Sequence, residues 1–370
     1  MSKNLTELPF TEIVERASEL SRERAEVEKK IRGIVNDVYT REIPRKEDWT
    51  FLVVTSALTT TQEYKTGTVS VNTGATQAVF STDATLTADM TGRKLKVQNN
   101  DYVYDVTYES GTSVTIQPPF SGTQNQTNVS YSIFDPDYPL AADFDRFLKD
   151  KGLTKYQGGR KQEIPEKSPQ EFDVDYTPTT AIYPSRCRLI GTDTNGRTLV
   201  EINPPPSSAV SLQYDYYRRP NPLRETTAGF VNIGAGATAV TGSTGTTRFS
   251  EARTGDYIRI DALGTGADSE WYRVQTIAHD SSITLSSAFG LSGVTSAAYT
   301  ICSLPDYPVK LHPAILYGTL IQLTLDQNDP ASQGYYTKFA EVLSDGKRLY
   351  KTRVYSQQIN TVAEDYNYRR

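Results

Sequence analysis

The chain has 370 residues, of which 37% are hydrophobic and 22% charged, with a net charge of -5. At about 100–200 residues per domain, this length predicts two or three packed units. The small net charge argues against charge-driven disorder and against a strongly basic nucleic-acid binder. Two cysteines and two histidines are too few for a disulfide framework or a structural zinc site, so we expect no metal and no cofactor. No secretory signal and no bilayer-length apolar run are visible, which predicts synthesis in a cytoplasm and no membrane association.

The first predicted element is a helix over residues 11–40. Its apolar residues are spaced alternately by four and three, which places them on one helical face, with Arg24 interrupting them. Because Pro44 stops the pattern soon afterwards, we favour a helix in a bundle over a coiled-coil dimer. The bundle stripe consists of Ile13, Ala17, Leu20, Val27, Ile31, Ile34 and Val38.

An internal repeat dominates the middle of the chain. Six short motifs recur in the same order, and the separation of matching positions grows only from 162 residues (Gly67 to Gly229) to 169 (Asp137 to Asp306). The motifs alternate in polarity with period two and are divided by glycine-containing breaks, as half-buried antiparallel strands require. The pattern therefore predicts one small β-barrel or sandwich module used twice.

Helical and β segments also lie between and after the modules. A short linking helix is predicted over residues 141–151, and Asn195-Gly196 predicts a β-hairpin. Pro313 suits the first turn of a helix, and Asp329-Pro330 reads as the start of another.

Together these elements predict an α+β protein. Its core is a discontinuous helical bundle, made of the N-terminal helix and the C-terminal helices, with inserted antiparallel β regions that include the two repeated modules. The predicted domains are residues 1–60 (N-terminal helix), 61–138 (β module 1), 139–225 (linking helix and hairpin region), 226–307 (β module 2), 308–351 (C-terminal helices) and 352–370 (an extended arm).

The sequence gives little support for catalysis, and we expect no enzyme activity. An acidic cluster resembles a glycosidase pair or a calcium loop, but a turn followed by helix-start carboxylates explains it better. His312 reads as a helix-start capping residue, His279 as a solvated turn residue, and both cysteines as buried thiols. The acidic cluster is Asp135, Asp137, Asp143 and Asp145.

Two segments are candidate interaction sites. An aromatic and basic cluster favours a subunit interface over a nucleic-acid contact, because the chain is slightly acidic. The spacing of aromatic and apolar residues after residue 352 favours a docking arm over a solvated tail. The interface candidates are Tyr214, Tyr216, Tyr217, Arg218 and Arg219, and the arm residues are Tyr355, Ile359, Val362, Tyr366, Tyr368, Arg369 and Arg370.

Six stretches resemble one family of virion proteins. Residues 36–43 and 45–52 resemble the exit of the first helix in head-to-tail adaptors of tailed bacteriophages, where a helix ends in an Arg/Lys-Asp-Trp-Phe-Leu pattern. Residues 189–196, 202–206 and 212–220 resemble the β region of larger adaptors, and residues 311–318 resemble their returning helix. The small adaptors are nearly all helical, so the two β modules depart from them.

The resemblance implies a structural protein of the virion neck, made in the host cytoplasm. Such proteins form a ring, usually a dodecamer, under the portal protein, extend the channel for double-stranded DNA without sequence specificity, and seat the tail nozzle or fibre proteins. Family members grip the portal with a C-terminal arm, which would be residues 352–370 here. The alternative is a tail-associated protein that binds host-surface glycans through lectin-like β modules, and a virion glycan hydrolase is a third reading.

Overall fold

The computed structural model describes residues 7–21, 28–148, 151–157, 159–174, 179–243, 245–261, 270–325 and 330–351. The chain divides into two compact units. Unit 1 comprises Met1–Phe51 and Pro220–Arg370, and unit 2 comprises Leu52–Arg219. The predicted docking arm lies outside the described residues.

The helices of unit 1 come from both ends of the chain and pack together. The N-terminal helices contact the fifth helix, which in turn lies along the sixth. Their apolar faces are buried against one another, because an isolated amphipathic helix cannot shield its own stripe from water. The helices are α1 (Phe10–Ser21), α2 (Glu28–Asp37), α3 (Ile43–Lys46), α5 (His312–Leu325) and α6 (Ala331–Tyr350), and unit 2 adds α4 (Pro169–Val174).

The N-terminal stripe is only partly as predicted. Ile13, Ala17, Ile31 and Val38 are fully buried, and Ile34 is half-buried. Leu20 is 49% exposed, so its assignment to the buried stripe is wrong, because α1 ends one residue later and its buried face ends at Ala17. Val27 lies outside the described residues.

The helical path continues beyond the predicted end through a π turn over Val38–Glu42 and then α3. A π turn holds an extra residue per turn and so rotates the next side chains around the axis. As a result Val38 and Tyr39, which are adjacent in sequence, are both buried.

Unit 2 contains a seven-stranded antiparallel sheet, module 1, in the order β7-β2-β3-β6-β5-β4-β8. Apolar side chains from β2, the second strand at one end, and from β8 at the other end belong to the same buried cluster, so the sheet curls around one core. Its strands are β2 (Val69–Val71), β3 (Gln77–Phe80), β4 (Lys94–Val97), β5 (Val103–Ser110), β6 (Ser113–Gln117), β7 (Gln126–Val129) and β8 (Tyr131–Phe134).

The rest of unit 2 forms two smaller sheets around a second core. One sheet has the order β1-β15-β11-β12 with β10 also paired to β15, and the other has the order β13-β14-β9. β13 and β14 form the hairpin around Asn195-Gly196, where Gly196 has a φ of 75°. The strands are β1 (Val53–Thr59), β9 (Asp137–Pro139), β10 (Phe144–Phe147), β11 (Leu153–Gln157), β12 (Arg160–Ile164), β13 (Arg186–Thr192), β14 (Thr198–Asn203) and β15 (Ser211–Arg218).

The predicted linking helix over residues 141–151 is wrong, because Phe144–Phe147 is strand β10. Phe144 and Phe147 are three residues apart, which is a helical spacing. The pairing of β10 with β15 shifts register between Phe144 and Arg146. Such a bulge inserts one extra residue, which lets two side chains at odd spacing lie on the same face of a strand. Both phenylalanines are accordingly buried, with ring centroids 4.9 Å apart.

Unit 1 contains the counterpart sheet, module 2, in the order β16-β23-β19-β20-β21-β18-β17-β22. Apart from β16, this is the strand order of module 1 with each strand replaced by its repeat partner. The strands are β16 (Glu225–Thr226), β17 (Val231–Ile233), β18 (Ala239–Gly242), β19 (Tyr257–Ile260), β20 (Trp271–His279), β21 (Ser282–Leu285), β22 (Val294–Ala297) and β23 (Tyr299–Cys302).

Irregular features are repeated as well as strands. Gly67 and Gly229 both have positive φ. In module 1 the hydroxyl of Tyr131, at the start of β8, donates to the carbonyl of Thr66, the residue before Gly67. In module 2 the hydroxyl of Tyr299, at the start of β23, donates to the carbonyl of Ala228, the residue before Gly229. Equivalent tyrosine-to-backbone anchors at equivalent places show that the two sequences specify one local structure twice.

The α+β class is confirmed by this mixture of helices and antiparallel sheets. Within the described ranges, the structure has no helix long and apolar enough to cross a membrane.

Candidate assembly site

Around Trp49, the segment that follows the π turn packs against the C-terminal end of α6, and we call this region the clasp. It comprises residues 43–51 together with residues 346–351. The Trp49 indole is fully buried and its Nε1–H donates to the carbonyl of Ile43 at 2.8 Å. Its backbone forms an antiparallel bridge with Lys351, and the Thr50 hydroxyl donates to the carbonyl of Tyr350 at 3.0 Å. The segment that leaves the first helical region therefore caps the C-terminal end of the last helix.

Charge reinforces the clasp. The Glu47 carboxylate lies 2.6 Å from Lys347 Nζ and 3.0 Å from Lys351 Nζ. Hydrogen bonds from Lys347 and then Lys351 lower the pKa of Glu47 below its usual value. The two lysines are four residues apart and so reach the same carboxylate from one side of the chain.

An aromatic chain continues from Trp49 into the bundle. The Phe51 ring is stacked on Trp49 with centroids 5.6 Å apart and lies 5.1 Å from the Tyr307 ring. Tyr307 in turn lies 4.6 Å from Tyr39 in the π turn and donates its hydroxyl to the Tyr39 carbonyl. Aromatic pairs at these distances add to the stabilisation by burial. The clasp is thus continuous with the core of the bundle.

A second set of polar contacts joins module 2 to helices α1 and α2. Glu225 in β16 accepts the Thr11 hydroxyl at 2.9 Å and Arg32 at 3.1 Å. Arg259 in β19 makes a two-pronged ion pair with Glu15 of α1 at 2.7 and 3.2 Å. Bidentate arginine–carboxylate pairs fix orientation as well as distance. The sequence gives no sign of these pairs, because each joins residues roughly two hundred positions apart.

His312 ties the chain's N-terminal segment to the start of α5. Its Nδ1 accepts the Leu8 backbone N–H at 3.1 Å, and its Nε2 lies 3.0 Å from the Tyr307 carbonyl, which fits a donated N–H. The ring is fully buried, and this desolvation lowers its pKa. Backbone bonding and the nearby Glu7 carboxylate act in the opposite direction. The predicted capping residue thus bonds to the backbone of Leu8, 304 positions away, and to that of Tyr307, five positions away.

We expect the stability of unit 1 to fall as the pH drops below about 6.5, the usual pKa of histidine. A histidine whose pKa is lowered by folding takes up its proton more readily in the unfolded state, so acid favours unfolding. The measurement is the free energy of unfolding between pH 7.5 and 5. His312→Gln should flatten this part of the profile relative to the wild type. His279→Asn, which changes the other histidine at an exposed position, should leave the slope unchanged; equal slopes in all three proteins would contradict the assignment.

The acidic cluster of the sequence serves structural roles in unit 2. Asp143 accepts the Tyr216 hydroxyl at 2.7 Å, and Asp145 pairs with Arg146 at 3.0 Å. Asp135 caps the turn by accepting the backbone N–H of Asp137 at 3.2 Å. None of the described histidine, cysteine and acidic side chains forms a group of three or more suited to a metal ion.

Asp137 is the exception, because its Oδ1 is buried without a hydrogen-bond partner among the described residues. Burial first, and the charge of Glu201 on the paired strand second, raise the pKa of Asp137 to about 6. Holding a carboxylate ionised here is therefore unfavourable at neutral pH.

We expect Asp137→Asn to raise the unfolding temperature of unit 2 at pH 8. A carboxyl group whose pKa is raised by folding stabilises the protein in acid, and that contribution is lost as the pH rises through about 6. The gain should shrink towards zero at pH 4, and calorimetry at both values measures it. Asp145→Asn, which removes the same charge from a half-exposed position, is the control and should show no such pH dependence.

The predicted subunit-interface cluster is corrected by the structure. Tyr214, Tyr216 and Tyr217 are at most 3% exposed, so the prediction that these rings contact another subunit is wrong. They are buried because β15 pairs with β1, β10 and β11 and so lies inside its sheet. Arg218 is half-buried and Arg219 exposed.

Both cysteines are buried thiols, and burial raises the pKa of Cys187 and of Cys302 to about 12. Neither is therefore an activated thiolate at neutral pH.

No protein-family model matches the chain, and no curated protein matches it. Among solved structures, the chain is similar at 11% identity to translation elongation factor SelB from Methanococcus maripaludis in its apo form. That match covers 67% of this chain and 64% of the other, so the chain spans less than two thirds of that protein. The TM-score is 0.15, too low to support any argument about fold or function.

Proposed function

We propose that the chain is a structural, non-enzymatic protein of the bacteriophage neck, a head-to-tail adaptor that forms a ring beneath the portal. The single observation that carries the proposal is the clasp. Glu47, Trp49 and Thr50 contact the end of α6, and they lie within residues 45–52, the stretch that resembles the helix exit of such adaptors. One of the stretches that carries the resemblance therefore has a definite structural role.

The clasp also gives a physical basis for a docking arm. Trp49 and Glu47 fix the backbone and side chain of Lys351, the residue immediately before the proposed arm. A segment that folds on binding loses less entropy when its point of attachment is already fixed. The proposed arm, residues 352–370, would leave from this point to bind the portal.

A ring assembly without catalysis is consistent with the contacts that the acidic side chains make. Head-to-tail contacts between identical subunits form a closed ring when the rotation per subunit closes. Three of the four residues in the acidic cluster, Asp143, Asp145 and Asp135, have structural partners in Tyr216, Arg146 and a backbone N–H. We therefore propose that the chain assembles into a ring, a dodecamer by its resemblance to the adaptors, and seals the DNA channel rather than carrying out catalysis.

The direct test is binding to the portal protein encoded in the same genome. We expect the full chain to form a ring-sized complex with the portal by native mass spectrometry, and deletion of residues 352–370 to abolish it. Replacing Tyr355, Ile359, Val362 and Tyr366 with serine should have the same effect. Tyr102→Ser and Tyr336→Ser, which alter exposed aromatic residues elsewhere, should leave binding intact. Unchanged portal binding by the truncated chain would reject the arm, and no complex with the full chain would reject the adaptor.

The glycan-binding alternative is tested with the same protein. The two modules share strand order but differ on the surface, since exposed Phe230 in module 2 corresponds to Thr68 in module 1. Saturable binding to a host-surface glycan, together with failure to bind the portal, would favour the alternative.

A further inference from the structure

The hairpin of β11 and β12 concentrates positive charge in an acidic chain. The segment from Lys151 to Lys167, here called the basic hairpin, holds five basic and two acidic residues, whereas the whole chain has a net charge of -5. Its basic residues are Lys151, Lys155, Arg160, Lys161 and Lys167.

The outer strand of the basic hairpin, β12, is at an edge of its sheet and is open to solvent. β12 is the last strand in the order β1-β15-β11-β12. Four of its five residues are exposed, and only Ile164 is buried. An exposed edge strand offers side chains and backbone groups to a partner along its length.

The strand register distributes charge over both faces of the basic hairpin. Tyr156 is opposite Lys161, and Gln157 is opposite Arg160. Cross-strand partners share a face, so Lys161 lies beside an aromatic ring that is 54% exposed, while Arg160 lies on the other face.

The cations of the outer strand are exposed to solvent. Arg160 and Lys161 are exposed side chains of β12, in which Glu163 is the acidic residue. Lys155 is turned towards the Tyr183 ring, with its ammonium 4.7 Å from the ring centroid. Many other basic residues of the chain are paired, as Arg146, Arg188 and Arg259 illustrate.

We propose that the basic hairpin binds the phosphate backbone of double-stranded DNA without sequence specificity, through Arg160 and Lys161. Each cation that neutralises a phosphate releases condensed counterions, and this gain is independent of base sequence. A single exposed tyrosine is too little for the series of stacked bases that single-strand binding uses, which favours the duplex. The charge and exposure of the basic hairpin are independent of the adaptor function, although an element of this kind suits a protein that DNA passes.

The test is the binding of a labelled 20-base-pair duplex to the full chain, followed by fluorescence anisotropy at several salt concentrations. For Arg160→Glu/Lys161→Glu we expect at least about a tenfold loss of affinity at low salt. The slope of log K against log salt should also decrease in magnitude by about 2, one unit per lost phosphate contact. The matched control is Lys29→Glu/Lys310→Glu, which makes the same change of charge at two exposed positions of unit 1 and should bind within about twofold of wild type.

Three results would overturn the inference. They are equal loss of affinity in the control, an unchanged salt slope in the hairpin variant, and displacement of the duplex by polyglutamic acid, which would indicate a general polycation or polypeptide contact. Arg160→Gln/Lys161→Gln keeps the test valid if charge reversal impairs folding, and it should lose the same two phosphate contacts.

Portal binding by the same variants separates this inference from the proposed function. Loss of DNA binding with portal binding intact supports both. Normal DNA binding by the variants with intact portal binding rejects only the hairpin. Hairpin-dependent DNA binding without any portal complex rejects only the adaptor.

Discussion

Replacing Trp49 with alanine should destabilise unit 1 by about 3–5 kcal/mol, the usual loss for a large buried aromatic residue. The indole is fully buried, stacks on Phe51 and donates a hydrogen bond to Ile43. Its removal would leave a cavity and an unpaired carbonyl where the N-terminal segment meets α6. The bundle would then lose the contact that joins its two ends.

The chain contains two tryptophans, and both belong to unit 1, so their fluorescence reports the unfolding of that unit in denaturant. Trp271→Ala is the matched control, since it deletes the same ring from a half-buried position over Arg259. We expect this control to lose clearly less stability than Trp49→Ala. Equal losses would contradict the role of the clasp, and Trp49→Phe should recover most of the loss.

Gly318→Ala should destabilise the bundle by about 1–3 kcal/mol, the usual cost of overpacking a core. A Cβ at Gly318 of α5 would lie 2.7 Å from Val38 Cγ1 and 3.2 Å from Phe339 Cε2. Valine is stiff about χ1 and cannot turn away cheaply. Glycine is therefore required here by the close approach of the N-terminal π turn and α6 to the same point on α5.

A matched glycine tests this interpretation. A Cβ at Gly334 in α6 would meet nothing within 4 Å, so Gly334→Ala should stabilise the helix by about 0.5–1 kcal/mol. Val38→Ala combined with Gly318→Ala should cost less than the sum of the two single changes, because the double variant removes the clash. Strictly additive losses, or a stable Gly318→Ala protein, would show that the two ends of the chain are not closely packed there.

The internal sequence repeat explains why the β modules could be predicted from the sequence. Each strand of a half-buried sheet carries its own alternation, as Leu95 and Val97 do, and the second copy supplies the same pattern with different residues. Local signals of this kind act over a few residues and survive without knowledge of the fold.

Predictions failed where a local pattern had two solutions. Phe144 and Phe147 have a helical spacing, yet a bulge gives the same shared face to a strand. Tyrosines next to arginines, as in β15, are typical of subunit interfaces, yet three neighbouring strands bury the tyrosines of β15. In each case, pairing with distant strands overrides the local preference.

The sequence by itself determined the α+β fold class, the repeated β module and most of the apolar faces of the helices at both ends, because these depend on short-range periodicity and turn chemistry. Only the tertiary structure decided that Trp49 and Glu47 hold the end of α6, that Glu225 and Arg259 fasten module 2 to the helices, and that the outer strand of the basic hairpin is an open edge. These contacts join residues far apart in the chain, and nothing in either segment alone encodes its partner. Their geometry follows from packing the whole core, which fixes distant side chains relative to one another.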